Sequence, residues 1–340
     1  MLAVVSKKPL RYAAQKERFM HTVIPVASGK GGVGKSLFSS NLGVALAKAG
    51  KTVLLVDLDL GGSNLHTCLG IRNSNAGIGH YVHKKVDSLE ELVVATEQKG
   101  LFLIPGDSLL PGTANMPYFR KVKLLREMKD LVADFIILDL GAGTSHNTVD
   151  FFLAASGGVL VCTPETTSIL NAYSFLKSVC YRLLFRSFPP KSKERNYIHS
   201  FMTERIERSD SSLEQLVAGM RELNNDSGDT AARILSDLVP RVVLNMGRTT
   251  RDISIGAKLR SIARKNLSVE VEYIGFLPWD DALGASIIER RPVAISRPDI
   301  AYMQNMNTIA SRLIARPVPT DPPLYEDDAD LSDLIEEVPG

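Results

Sequence analysis

Short apolar runs punctuate this chain, and longer stretches with helical spacing of their hydrophobic residues separate them. The runs are TVIPVAS (22–28), KTVLLVDLD (51–59), LFLIPG (101–106), DFIILDLG (134–141), GVLVCTP (158–164), PRVVLNM (240–246) and EYIGFLP (272–278). Several are apolar at nearly every position, the pattern of strands whose two faces are both covered. Strands alternating with helices predict an α/β fold: a mostly parallel, doubly wound central sheet with helices on both faces.

One helix is expected from Lys35 to a stop at Gly50. A second is expected from about Thr167 to Phe185, where Ile169, Tyr173, Leu176, Cys180 and Leu183 recur near the 3.6-residue period and put Cys180 in the core. From Phe185 to Val239 the pattern loosens into a Pro-containing link and charged helical material. The organisation read from this is a basic extension (1–20), a nucleotide-binding domain (21–315) with a helical insertion (186–239), and an acidic tail (316–340). The last 20 residues hold eight acids and no Lys or Arg, a composition that predicts disorder.

At 340 residues and 44% hydrophobic the chain can bury a large core. Its net charge of +2 gives no global case for nucleic acid. Cys68, Cys162 and Cys180 form no C-x-x-C pair, which points to a reducing compartment rather than a disulfide framework or zinc ribbon. No apolar run reaches the ~18 residues of a membrane-spanning helix, and the basic N-terminus lacks the apolar core of a signal peptide. A soluble cytoplasmic protein is the expectation.

SGKGGVGKS (28–36) carries the candidate chemistry. The spacing G-x-x-x-x-G-K-[ST] is complete in Gly29, Gly34, Lys35 and Ser36, between a strand and a helix. Glycines let backbone N–H groups turn toward phosphates, and the following helix N-terminus adds its positive end. Lys35 is expected to reach the β/γ-phosphates and Ser36 to hold Mg2+. The cradle is read as running from Gly29 through Lys30, Gly31, Gly32, Val33, Gly34, Lys35 and Ser36 into Leu37. Lys30 has no role in the ordinary motif. Asp57 and Asp59 end one strand and Asp139 another, so their carboxylates converge where ligands bind in open α/β sheets. Gly61, Gly62, Gly141 and Gly143 follow them, as in segments that sense a γ-phosphate.

GKGGVGKS, with its extra lysine, is similar to the deviant Walker A loop of the MinD/ParA family. The likeness extends through DLDLGGSNLHTCLG, LDLGAGTSHNTVDFFLAAS, TPETTSILNAYSFLK, VVLNMG and IGFLPWDDALGASIIERRPV, over roughly residues 22–300. LDLGAG and TPETTSILNAYSFLK most resemble the flagellar-number regulators of the FlhG, FleN and YlxH type. The resemblance implies an ATPase, dependent on Mg2+, whose two copies sandwich two ATP molecules. It implies that Lys30 reaches the partner's phosphates, that Asp59 positions the attacking water, that Asp57 lies at the outer metal site and that Asp139 stands near Mg2+. Asn245 matches a position that reads adenine, and Pro278 and Asp280 match the segment around the base. Expected partners are a second copy of the chain with ATP and a protein that stimulates hydrolysis.

The chain departs from the family at several points. Leu140 and Gly141 follow Asp139 where division-site and partition relatives carry a proline. His66 stands where a second acid is often found, and reads as a surface or interface residue. The C-terminus is acidic where MinD-type proteins have a basic membrane helix, so membrane association would need the basic N-terminus or the segment MQNMNTIASRLIARP. The rival reading is ParA-like, non-specific DNA binding through Arg241, Arg248, Arg251, Lys258, Arg260, Arg264 and Lys265, opposed within that stretch by Asp252. MinD-like division-site positioning is the other alternative. An iron–sulfur ATPase is set aside, because DLGAGTSHNTVD has no cysteine.

Overall fold

A computed structural model describes residues 21–72, 76–106, 116, 118–128, 130–155, 158–205, 212–317 and 334. The expected basic extension lies outside these residues, as does most of the acidic tail. The chain opens with β1 (Thr22–Ala27), α1 (Lys35–Lys48) and β2 (Val53–Leu58), then the short helices α2 (Leu65–Cys68) and α3 (Ile78–Val82). Next come β3 (Val94–Ala95), β4 (Leu101–Ile104), α4 (Tyr118–Met128), β5 (Phe135–Leu140), α5 (His146–Phe152) and β6 (Val159–Cys162). Four helices follow: α6 (Thr166–Ser187), α7 (Lys193–Arg205), α8 (Leu213–Leu223) and α9 (Asn225–Ser236). The chain then runs through β7 (Arg241–Gly247), α10 (Thr250–Leu267), β8 (Glu272–Pro278), α11 (Asp281–Glu289), α12 (Val293–Ser296) and α13 (Ala301–Ala315).

The strands form one sheet in the order β3-β4-β2-β5-β1-β6-β7-β8. Every pairing is parallel except β3 with β4. The apolar runs serve both faces because successive side chains alternate. In β5, Ile136, Leu138 and Leu140 pack on one core with helices α4 to α10, while Phe135 and Ile137 pack on the other with α1, α12 and α13. Cys180 is fully buried in the first core. Helices α7, α8 and α9 join that core through Ile198, Leu216 and Leu235. Leu334 is buried there too.

The two-residue β3 was missed in the sequence, since so short an antiparallel edge has no detectable periodicity. Strand β1 lies between β5 and β6, so the chain turns one way to β2 and the other way to β6. That reversal opens a crevice above β1, and the loop after β1 fills it.

Candidate phosphate-loop site

Gly34 caps α1 in the left-handed region (φ 81°) and lies so close to Asn245 that a Cβ there would meet Asn245 Nδ2 at 2.6 Å. Gly29 runs against the backbone of α6, where a Cβ would sit 2.2 Å from the Asn171 carbonyl oxygen. Both positions need glycine, one for conformation and one for close approach. They fix the loop between α6 and the end of β7.

Three donors from α1 converge on one carboxylate. Lys35 Nζ and Ser39 Oγ each donate to Asp139 Oδ1 at 2.9 Å, and Ser36 Oγ donates to Oδ2 at 2.6 Å. Lys35 and Asp139 are both buried. The parallel register of β2 and β5 sets Asp57 beside Asp139. Asp57 accepts from Ser63 Oγ at 2.6 Å and from the backbone N–H groups of Asp59 and Leu65, both at 3.1 Å. Burial, and then the charge of Asp139, push the Asp57 carboxyl up to about 7. The same setting pushes the Cys68 thiol up to about 12, chiefly by burial, so it is no thiolate nucleophile at neutral pH.

Asp59 is half-buried past the end of β2. Its carboxylate lies so near Gly141 that a Cβ there would meet Oδ1 at 3.4 Å. The Gly143 N–H donates to the Ser28 carbonyl at 2.9 Å, tying the segment after β5 to the start of the phosphate loop. Lys30 turns out of the loop and donates to Glu165 Oε2 at 2.6 Å. Val33 and Leu37 are buried with α1 in the core, so Val33 faces the site through its carbonyl, which accepts from Asn245 Nδ2 at 2.7 Å. The Asn245 Oδ1 is buried and unpartnered among the described residues. Pro278 ends β8 opposite Gly247. Asp280 caps α11, its Oδ1 accepting from the Ala282 N–H at 2.8 Å.

Two of the seven basic residues of β7 and α10 turn inward, which corrects the sequence reading at those two positions, while Arg248, Arg251, Lys258, Arg264 and Lys265 are exposed. Arg241 is buried against Glu272, and Arg260 is buried, donating to the Val271 carbonyl and lying over the Tyr273 ring. Arg264 pairs with Glu270. The opposing acids come from β8 and the turn before it, beyond the stretch in which Asp252 was the only acid. His66 is half-buried in α2, and burial, then the charge of Arg290, lower its pKa.

Residues 24–293 match the family model for the CobQ/CobB/MinD/ParA nucleotide binding domain. The chain belongs to this family. Proteins similar to it along most of its length include the antiactivator FleN of Pseudomonas aeruginosa, 24% identical over 303 residues covering 88% of this chain and 89% of FleN. The flagellum site-determining protein YlxH of Helicobacter pylori is 27% identical over 299 residues, covering 86% of this chain and 82% of YlxH. Among solved structures, the septum site-determining MinD of Pyrococcus horikoshii, complexed with Mg-ADP, shares the fold. It has a TM-score of 0.60 and 22% identity, covering 87% of this chain and 98% of MinD.

The family's nucleotide and ion fit the donors present. Ser36, Asp139 and Asp57 offer the hard oxygens that Mg2+ prefers. A nucleotide-bound Mg2+ also takes phosphate and water ligands, so it needs no cluster of three acids, and the described residues hold none. The orphan Asn245 Oδ1 is an acceptor suited to the amino group of adenine. Two residues that hydrogen-bond to the candidate site residues were missed in the sequence. Ser39 was legible, since it falls three residues after Ser36 on the same helix face. Glu165, 135 residues from Lys30, carried no local signal.

Proposed function

We propose that this chain is an ATP-driven dimer switch of the MinD/ParA type that governs the number or placement of a cellular structure, with flagella the favoured cargo. The carrying observation is the convergence of Lys35, Ser36 and Ser39 on Asp139 with Asp57 alongside. That arrangement places a cation, a hydroxyl and carboxylates at one helix N-terminus, which suits a Mg-nucleotide and little else.

Asp59, next to the glycines after β5, is assigned the positioning of attacking water. Lys30 is assigned to the phosphates of a second copy, since it turns away from its own loop. Hydrolysis then resets the dimer rather than making a product of use, so slow turnover and a stimulating protein partner are expected. Likeness to the flagellum site-determining YlxH over most of the chain favours flagella over septum or chromosome. The inward turn of Arg241 and Arg260 removes two of the seven cations that the DNA reading invokes. No helix among the described residues is long and apolar enough to cross a membrane. Phosphate release from Mg-ATP by wild type and Asp59→Ala tests this reading. Turnover in wild type and its loss in the variant are expected, and equal rates would refute the assignment of Asp59.

A further inference from the structure

The chain has a single tryptophan, Trp279, which stands 40% exposed immediately after Pro278. It faces a cavity of about 360 Å³ beside the phosphate loop. Gly31, Gly32 and Val33 of the loop line that cavity together with Glu165, Arg248 and Trp279. The volume falls in the range of small-molecule sites.

The indole and the backbone of Arg248 are held in place. The Trp279 backbone N–H donates to the Gly247 carbonyl at 2.7 Å, and the indole N–H donates to Asp281 at 3.2 Å. The Arg248 backbone N–H donates to Asp252 at 2.6 Å, within the cap of α10. Its guanidinium lies 5.4 Å from the indole centroid. No carboxylate among the described residues pairs with that guanidinium, so its hold on the ring is a weak, exposed cation–π contact.

We propose that Trp279 is the platform on which the base of the bound nucleotide stacks, and that Arg248 covers this face until the base arrives. The inference rests on the nucleotide-switch reading above. A planar base sandwiched between the two groups would need about 7 Å, two carbon contact distances. The present 5.4 Å is too short, so base and guanidinium exchange on the ring. The orphan Asn245 Oδ1 lies on the same strand end, two residues before Gly247, which anchors Trp279. A π-face accepts any base. Trp279 therefore supplies affinity, and Asn245 supplies the choice of adenine.

The test is titration of the full chain with Mg-ADP, following tryptophan emission and calorimetric heat together. A saturable emission change with the same midpoint as the heat is expected. Inorganic pyrophosphate, which fills the loop without a base, should leave emission unchanged. Trp279→Ala should weaken Mg-ADP about ten-fold or more, the loss of one stacked base. Trp279→Phe should recover most of it, and Arg248→Ala should bind at least as tightly as wild type. Heat with no emission change and full affinity in Trp279→Ala would overturn the platform and leave the nucleotide reading standing. The same emission change with pyrophosphate would also overturn it, and weaker binding by Arg248→Ala would overturn the exchange. Absence of any Mg-ADP heat would remove both the reading and the inference.

Discussion

Lys30 donates to the Glu165 carboxylate of its own chain at 2.6 Å, while Lys35, five residues on, is buried against Asp139. The two lysines of one loop therefore face different ways. The Lys30 pair is exposed, and such pairs contribute less than about 1 kcal/mol. Lys30→Ala is expected to melt close to wild type and to keep its calorimetric affinity for Mg-ADP. A large loss of either would mean that Lys30 serves its own site.

Asp57 predicts an unusual pH dependence. Its carboxyl is raised from 3.8 in the unfolded chain to about 7 in the fold, so the folded state binds the extra proton between those values. Stability from this group is complete below pH 3.8 and is lost as pH rises toward 7. Asp57→Asn should thus gain on wild type more at pH 7.5 than at pH 5, read from urea midpoints. An equal difference at both pH values would contradict the burial argument.

Asp150 in α5 is a buried acid that ties three helices together. It accepts from Lys121 of α4 at 2.8 Å and from Arg182 of α6 at 2.7 Å, with Arg186 at 3.3 Å. Burial alone would raise its carboxyl, but hydrogen bonds from Arg182 and Lys121 and their charges outweigh it and hold the group below the usual range. Asp150→Asn strands the buried Lys121 and should cost about 3 kcal/mol in urea denaturation at neutral pH. The lowered pKa makes this contribution present above pH 3.8 and lost below it, so the deficit should shrink in acid.

The basic residues of β7 and α10 separate into two kinds. Arg260→Ala removes a buried guanidinium and should destabilise the chain by ~2 kcal/mol or more. Arg251 is exposed, and Arg251→Ala should stay within about 0.5 kcal/mol. Thermal melts of the two variants distinguish these cases, and similar melts would refute the inward placement.

The strands and the phosphate loop were legible because each is local. A run of apolar residues and a glycine spacing state their structure within ten residues. The contacts that decide the site's electrostatics are not local. Arg241 finds Glu272 on the next strand, and Lys30 finds Glu165 beyond the end of the neighbouring strand β6, at separations no window of sequence reveals. Asp280 shows a different limit. Its position before a helix signals a cap as clearly as a ligand, and the fold uses it as the cap.

In the proposed switch, nucleotide state sets assembly through Lys30. Sedimentation of wild type and Lys30→Ala, each with Mg-ATP and with Mg-ADP, tests this. Wild type should be a dimer with ATP and a monomer with ADP, and Lys30→Ala should be a monomer with either nucleotide. A mass that ignores the nucleotide, or a Lys30→Ala dimer equal to wild type, would contradict it.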